Sequence, residues 1–390
     1  MRQIALRQLE KIQQQVDGNK PVDDSFLNGG LGLAFYYYHA SRVSEEKKFG
    51  DRAHEIVEEI FVSLDSGLPR LAGPAFSNGG AGLCYVINFL NREGFLDFEV
   101  EAEFEELDRY LFSTAMNQIE ADFIDYLHGA LGTILYFSER TGEGQVQCYL
   151  DALIEKICGK AVKQPSGYWW RNYLLQVSEK EDINFSLSHG LSGILLILLN
   201  AYPRCKHKDL IEHVVKEGVR FILKHKIDID FAENAYSFFP FLIRKDATEL
   251  IAPNRLAWCY GDLNEVLLFY RAGKLFSDEG LVRLADLIGG QTLLRKKQEM
   301  TMISDSHFCH GSSGLAQFYK TLYKESGLPA YLEGYEYWME QTILLLDTDL
   351  EKGVYAGKEC DYLEGLIGVG LTLLSYVSER ELHWSRSVLL

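Results

Sequence analysis

The sequence lacks any long apolar run. No apolar stretch in the chain reaches the roughly 18 to 20 residues that a membrane span needs. Residues 1–15 read as an amphipathic helix, without the apolar segment of a secretory signal. These absences exclude a membrane-spanning or a secreted protein, so the sequence predicts a soluble, cytoplasmic one.

Positive charge and disulfide signals are also scarce. The chain has 39 Lys and Arg against 56 Asp and Glu, a net charge of −17, which opposes binding to nucleic acid and favours a neutral or cationic partner. The seven cysteines are an odd number in a chain without a secretory signal. They therefore indicate reduced thiols, some of which could bind metal, rather than a disulfide framework.

The sequence does contain a pattern that occurs seven times. It consists of a polar or aromatic residue, a glycine, two further residues, usually a second glycine, and then mostly apolar residues. The first glycines are Gly29, Gly79, Gly129, Gly190, Gly261, Gly311 and Gly365. Their separations are 50, 50, 61, 71, 50 and 54 residues, which indicates stacked supersecondary units. Each unit has room for two helices.

The two helices of each unit differ in character. The stretch 191–199 is apolar nearly all round, which predicts an inner helix surrounded by protein, whereas 211–223 is amphipathic, which predicts an outer helix. The first and last units carry the same apolar motif as the others, and an open array would need polar ends. We therefore expect an all-α fold, an α/α toroid of seven helical hairpins, as a single domain over 1–390. Paired glycines would let the inner helices approach closely.

The fifth and sixth turns both place Cys just before Gly. Cys259 and Cys309 lie 50 residues apart in repeats of that length, and His310 follows Cys309. Equal repeat phase would bring two thiolates and one imidazole together, giving one zinc ion three ligands and leaving an open fourth position, as in catalytic sites. In the alternative interpretation, both cysteines are small buried hydrophobes and the histidine is a core residue. The other cysteines lack this register and are interpreted as structural.

The third and fourth turns add ionisable groups, Asp125 and His189. A histidine at the mouth of the toroid could transfer a proton near neutral pH, although it could equally start a helix and bond to a carbonyl. Arg255 could stabilise negative charge, or form an ordinary ion pair. Asp122 and His128 are weaker candidates, interpreted as a solvated charge and a turn residue.

Together these motifs resemble the lanthionine synthetase C-like family over essentially the whole chain. The resemblance implies a seven-hairpin toroid, zinc bound by Cys259, Cys309 and His310, and no organic cofactor. The fifth turn departs from the family, because Asn264 stands where a second glycine is usual, and this puts the local turn geometry in doubt. A zinc-bound substrate thiol would add to dehydroalanine or dehydrobutyrine in a precursor peptide, with His189 as proton donor, Asp125 orienting it and Arg255 stabilising the enolate.

The resemblance leaves other interpretations of the function open. A dehydratase and an exporter could be partners, with the protein peripheral to the inner membrane face. A non-catalytic zinc-containing scaffold is one alternative, and a transferase that adds glutathione to dehydroamino acids is another. A toroidal glycosidase would need paired carboxylates, and Asp125 has no evident partner in the sequence.

Overall fold

The computed structural model describes residues 1–44, 46–66, 70–140, 144–173, 182–244 and 250–390. The α-helices in this part of the chain are α1 (Arg2–Asp17), α2 (Gly30–Ser44), α3 (Lys47–Asp65), α4 (Gly80–Arg92), α5 (Val100–Glu103), α6 (Glu105–Glu120), α7 (Ala130–Glu139), α8 (Gln145–Gly159), α9 (Leu191–Ala201), α10 (Lys208–Lys224), α11 (Leu263–Leu275), α12 (Glu279–Thr292), α13 (Gln298–Thr301), α14 (Ser312–Ser326), α15 (Pro329–Glu351) and α16 (Leu366–Val377). A short 3₁₀ helix follows at His383–Val388.

The two predicted helix types are both present. In α9 every residue except Asn200 is buried, as expected for an element covered on all sides. In α10 the apolar residues of one face, such as Ile211 and Val215, are buried, while Lys216 on the other face is exposed. The periodicity read from the sequence therefore predicted the burial of both helices.

One compact unit consists of Met1–Gly73, Ser77–Phe95 and Ile303–Leu390. Within it α2 packs against α3 and α16, and α14 packs against α15 and α16. Gly370 of α16 lies against the ring of Tyr36 in α2, where a Cβ atom would stand 2.6 Å from the ring. The first and last of the glycine-led helices are thus in contact, which an open array of repeats would not allow.

Backbone hydrogen bonds join the glycine turns of this unit. The amide of Leu27 donates to the carbonyl of Ser77 at 2.9 Å, and the amide of Tyr362 donates to the carbonyl of Leu27 at 2.8 Å. The amide of Cys309 donates to the carbonyl of Leu363 at 2.8 Å. Adjacent turns therefore satisfy one another's buried backbone groups.

The other compact unit consists of Pro74–Phe76 and Leu96–Met302. Its helices α7, α9 and α11 pack in sequence, with α6, α8, α10 and α12 against them. Its described residues also form five short strands that the sequence analysis did not predict. The strands β1 (Val162–Gln164) and β2 (Gly167–Trp169) form an antiparallel pair, and β3 (Ile183–Asn184), β4 (Leu242–Ile243) and β5 (Leu250–Ile251) form an antiparallel sheet in that order. The single-domain organisation over 1–390 stays a prediction.

The glycines are required for a further reason besides the close approach of helices. At Gly193, the second glycine of its turn, a Cβ atom would lie 2.0 Å from the carbonyl oxygen of Leu187 in the same turn. The constraint thus comes from the chain folding back onto the start of its own helix, not only from close approach of helices. Across the described ranges, no helix is both long and apolar enough to span a membrane.

Candidate metal centre and acid–base pair

The Cys259 turn differs from the other glycine turns. Gly261 has a φ of +117°, whereas the glycines that cap α4, α7, α9, α14 and α16 have φ between −105° and −138°. A Cβ atom on Gly261 would stand 2.2 Å from the carbonyl oxygen of Arg255. The doubt raised by the departure from the family pattern is therefore justified, and only glycine fits this position without strain.

Asn264, which stands in place of the second glycine, holds this turn by its side chain. Its Oδ1 atom accepts a hydrogen bond from the amide of Leu187 at 3.0 Å, and its Nδ2 atom donates to the carbonyl of Trp258 at 2.9 Å. The Leu187 amide also donates to the carbonyl of Cys259 at 3.2 Å. Asn264 is fully buried, so it joins the turn that carries Cys259 to the turn that carries His189.

The second cysteine turn begins α14. Cys309 and His310 are half-buried and directly precede Gly311, the N-cap of that helix. His307 packs its ring edge-to-face against His310, with centroids 4.1 Å apart. The carboxylate of Asp305 pairs with Nδ1 of His307. Sequence analysis missed this Asp–His pair, which restrains the ring beside His310.

The predicted ligands come together. Potential ligand atoms of Cys259, Cys309 and His310 all lie within 4.8 Å of one another, and among the described residues this is the one such group of three or more His, Cys, Asp or Glu side chains. Tetrahedral zinc with Zn–S of about 2.3 Å and Zn–N of about 2.0 to 2.1 Å separates its donor atoms by roughly 3.5 to 3.8 Å. Two sulfurs and one imidazole are typical zinc donors, so the cluster could hold this metal.

Asp125 and His189 form a hydrogen-bonded pair. Nδ1 of His189 lies 2.8 Å from Oδ2 of Asp125, whose carboxylate is fully buried. The other carboxylate oxygen, Oδ1, accepts hydrogen bonds from the amides of Leu127 and His128, both at 2.9 Å. The backbone of its own turn therefore holds Asp125 in place, and Asp125 holds the imidazole of His189. Nδ1 of His189 thus bonds to a carboxylate, and not to a carbonyl as in the alternative interpretation.

Electrostatics favour the protonated form of His189. Burial lowers the pKa of His189, but the hydrogen bond that His189 donates to Asp125, the negative charge of Asp125 and the charge of Cys259 together outweigh burial and raise the pKa above its ordinary value. The ring of His128 stacks nearly parallel to that of His189 at 6.0 Å. Burial, together with repulsion from His189, lowers the pKa of His128. The surroundings therefore shift the pKa values of the two rings in opposite directions.

The remaining sequence candidates have more ordinary surroundings. Arg255 is half-buried, and its predicted role in charge stabilisation stays a prediction. Asp122 pairs with Lys160 at 3.0 Å and is less solvated than expected. Of the other cysteines, Cys84, Cys158, Cys205 and Cys360 are buried and Cys148 is exposed, and none of them joins the Cys259 cluster.

Comparison with known proteins decides the family. The model of the lanthionine synthetase C-like protein family matches residues 20–389, nearly the whole chain. This protein belongs to that family. The match confirms the resemblance inferred from the seven glycine turns and the Cys259, Cys309 and His310 motifs.

Similarity to a solved structure shows the fold of this lanthionine synthetase C-like protein. Nisin cyclase matches with a TM-score of 0.79 at 20% sequence identity, and the match covers 98% of this chain and 96% of that one. The predicted all-α fold, an α/α toroid, is thereby confirmed. The short strands are local additions to a mostly helical chain.

Proposed function

We propose that this protein is a zinc-dependent peptide cyclase that forms thioether rings in a dehydrated precursor peptide. The observation that carries the proposal is the gathering of Cys259, Cys309 and His310 into one potential metal site. Family membership and the likeness to nisin cyclase support it. The half-buried Cys309 and His310 suit a site that an external thiol must reach.

The three side chains would hold one zinc ion and leave its fourth position to the substrate. A bound zinc ion would lower the pKa of a substrate cysteine thiol, so that the thiolate exists at neutral pH without a separate strong base. Two thiolate ligands suit activation of a thiol better than activation of water, because they place more negative charge at the metal than imidazoles would. Cys309 and His310 also precede the N-terminus of α14, whose positive end favours a thiolate ligand.

The protein's own residues would complete the addition. The peptide thiolate forms a C–S bond with the β-carbon of dehydroalanine or dehydrobutyrine, and the π electron pair moves toward the neighbouring carbonyl to give an enolate. His189 then donates a proton to the α-carbon, the proton lost by the thiol goes to solvent, and solvent returns a proton to His189, so the mass of the peptide is unchanged. Asp125 holds Nδ1 of His189, which leaves Nε2 to carry the transferred proton. Arg255 would stabilise the enolate oxygen.

Metal content tests the cluster. Purified protein is expected to contain about one zinc per chain, and Cys309→Ala is expected to lose it. Cys360→Ala, which changes a buried cysteine outside the cluster, is the matched control and should retain zinc. Full zinc content in Cys309→Ala would overturn the ligand assignment.

Activity tests the reaction. A synthetic peptide with one dehydroalanine and one cysteine should lose its free thiol without a change in mass, and a parallel reaction with free glutathione measures the competing transferase activity. His189→Ala protein that keeps zinc should lose cyclisation. If that variant cyclises at the rate of the unmodified protein, His189 is not the proton donor. If only the glutathione reaction proceeds, the protein is a transferase. A dehydratase, an exporter and a position at the membrane face stay predictions.

A further inference from the structure

A cavity of about 270 Å³ lies beside His189 in the unit that contains α9 and α11. One wall is the face of the small sheet that carries Asn184, Leu242 and Ile251, which stand opposite one another across β3, β4 and β5. The stacked rings of Phe241 and Tyr260, with centroids 4.5 Å apart, also line it. The sheet therefore builds a concave surface next to the proposed proton donor.

Two asparagine side chains in the cavity wall are held by hydrogen bonds to protein partners. Asn184 donates to the hydroxyl of Tyr260 at 3.0 Å and accepts from the amide of Ser186 at 2.8 Å. Asn172 donates to the carbonyl of His189 at 2.9 Å and accepts from the amide of Ile124 at 3.2 Å. These hydrogen bonds hold the two amides in place and use half of the donor and acceptor capacity of each.

The apolar side chains, in contrast, are left partly uncovered. Leu242, Ile251, Phe241 and Tyr260 are only half-buried, although each lines the cavity. A concave surface with an apolar lining and a few fixed polar groups is typical of a binding site. Asp182 and the exposed Arg244 contribute opposite charges to the lining, so the cavity selects no net charge.

We infer that this cavity is a subsite for a large aliphatic or aromatic side chain of the substrate peptide, from the residue next to the dehydroamino acid. The inference rests on the proposed function, because it takes His189 as the donor to the α-carbon. Neighbouring α-carbons lie about 3.8 Å apart, so a residue adjacent to the protonated carbon stands within reach of a cavity that His189 itself lines. Its volume is slightly below the roughly 300 to 1,000 Å³ of pockets for drug-sized ligands, which suits one side chain.

The experiment compares two series of model peptides, in which either the residue before or the residue after dehydroalanine is Gly, Leu, Phe or Asp. Binding is measured by calorimetry on matched peptides with Ala in place of dehydroalanine, and cyclisation on the reactive ones. Burial of a Leu or Phe side chain should improve binding and kcat/KM by about 10- to 100-fold over Gly. The Asp peptide should show no gain in binding or in kcat/KM over the Gly peptide.

Two neighbouring residues on β4 provide a matched pair of variants. Leu242→Trp fills the cavity and should reduce the preference for Leu over Gly to within about twofold, while Leu242→Ala enlarges it and should shift the preference toward Phe. Ile243→Trp is the control, because Ile243 is not part of the lining. It should retain the preference of the unmodified protein.

Equal binding of the Leu and Gly peptides, or an unchanged preference in both Leu242 variants, would overturn the subsite. The two proposals fail differently. If the protein cyclises the peptides without any side-chain preference, the cyclase proposal stands and the subsite proposal is refuted. If the protein cyclises none of the peptides but shows a binding preference that Leu242→Trp abolishes, the subsite proposal stands and the cyclase proposal is refuted.

Discussion

Asn264→Ala should weaken both the fold and the metal site. The carbonyl of Trp258 loses the hydrogen bond from Asn264, and the amide of Leu187 keeps its 3.2 Å bond to the Cys259 carbonyl. A buried group that loses its partner costs about 1 to 3 kcal/mol, so we expect a loss of about 2 to 4 kcal/mol in the free energy of unfolding. With an unfolding entropy of about 2.1 cal/mol/K per residue, a chain of 390 residues should melt roughly 2 to 5 °C lower.

The zinc affinity of the Asn264→Ala protein tests the role of Asn264 more specifically than its melting temperature does. Residues that orient metal ligands typically change affinity by about 10- to 100-fold when mutated, and we expect Asn264→Ala to weaken zinc binding within that range in competition with a chelator. Asn264→Gly, which installs the glycine usual in the family, removes the same hydrogen bonds and should also weaken it. Asn200→Ala, on the exposed side of α9, should change the free energy of unfolding by less than about 0.5 kcal/mol. An Asn264→Ala protein with unchanged melting temperature and zinc affinity would refute this reasoning.

Two further changes test the turn geometry and the acid–base pair. Gly261→Ala should destabilise the protein by at least about 1 to 3 kcal/mol in a denaturant titration, because φ is +117° and the new methyl group would meet the Arg255 carbonyl. Gly290→Ala, an exposed helical position with open space around it, should gain about 0.5 to 1 kcal/mol instead. Asp125→Asn removes the group that raises the pKa of His189 while burial, which lowers that pKa, remains. The pH above which cyclisation falls should therefore move to lower pH, and a pH–rate profile with an unmoved basic limb would contradict this role for Asp125.

Repeat phase explains why so much could be predicted from the sequence. The burial of α9 and α10 follows from periods that a single helix imposes on its own residues. Cys259 and Cys309 occupy the same position in units of equal length, so the proximity of the two thiols required only that neighbouring units stack alike. Asp125 and His189 lie at different positions of successive glycine turns, so their pairing was expected from the family resemblance and not from repeat phase.

The features that escaped prediction depend on contacts between distant segments. The strands β3 and β4 are two residues long and pair Ile183 with Ile243, and so short a segment carries no readable period. The role of Asn264 depends on the amide of Leu187, far away along the chain. His307 stands close to His310 in the sequence, but only the folded turn brings their rings together. These contacts have no signature in composition or spacing.

The central claim is that Cys259, Cys309 and His310 bind one zinc ion and leave a position open. Zinc-edge X-ray absorption of the purified protein tests it most directly. We predict a first shell with two sulfur atoms at about 2.3 Å and two nitrogen or oxygen atoms at about 2.0 to 2.1 Å, one of which is replaced by a third sulfur when a cysteine-containing peptide is added. A protein without zinc, a shell without sulfur, or a shell that the peptide leaves unchanged would contradict the account.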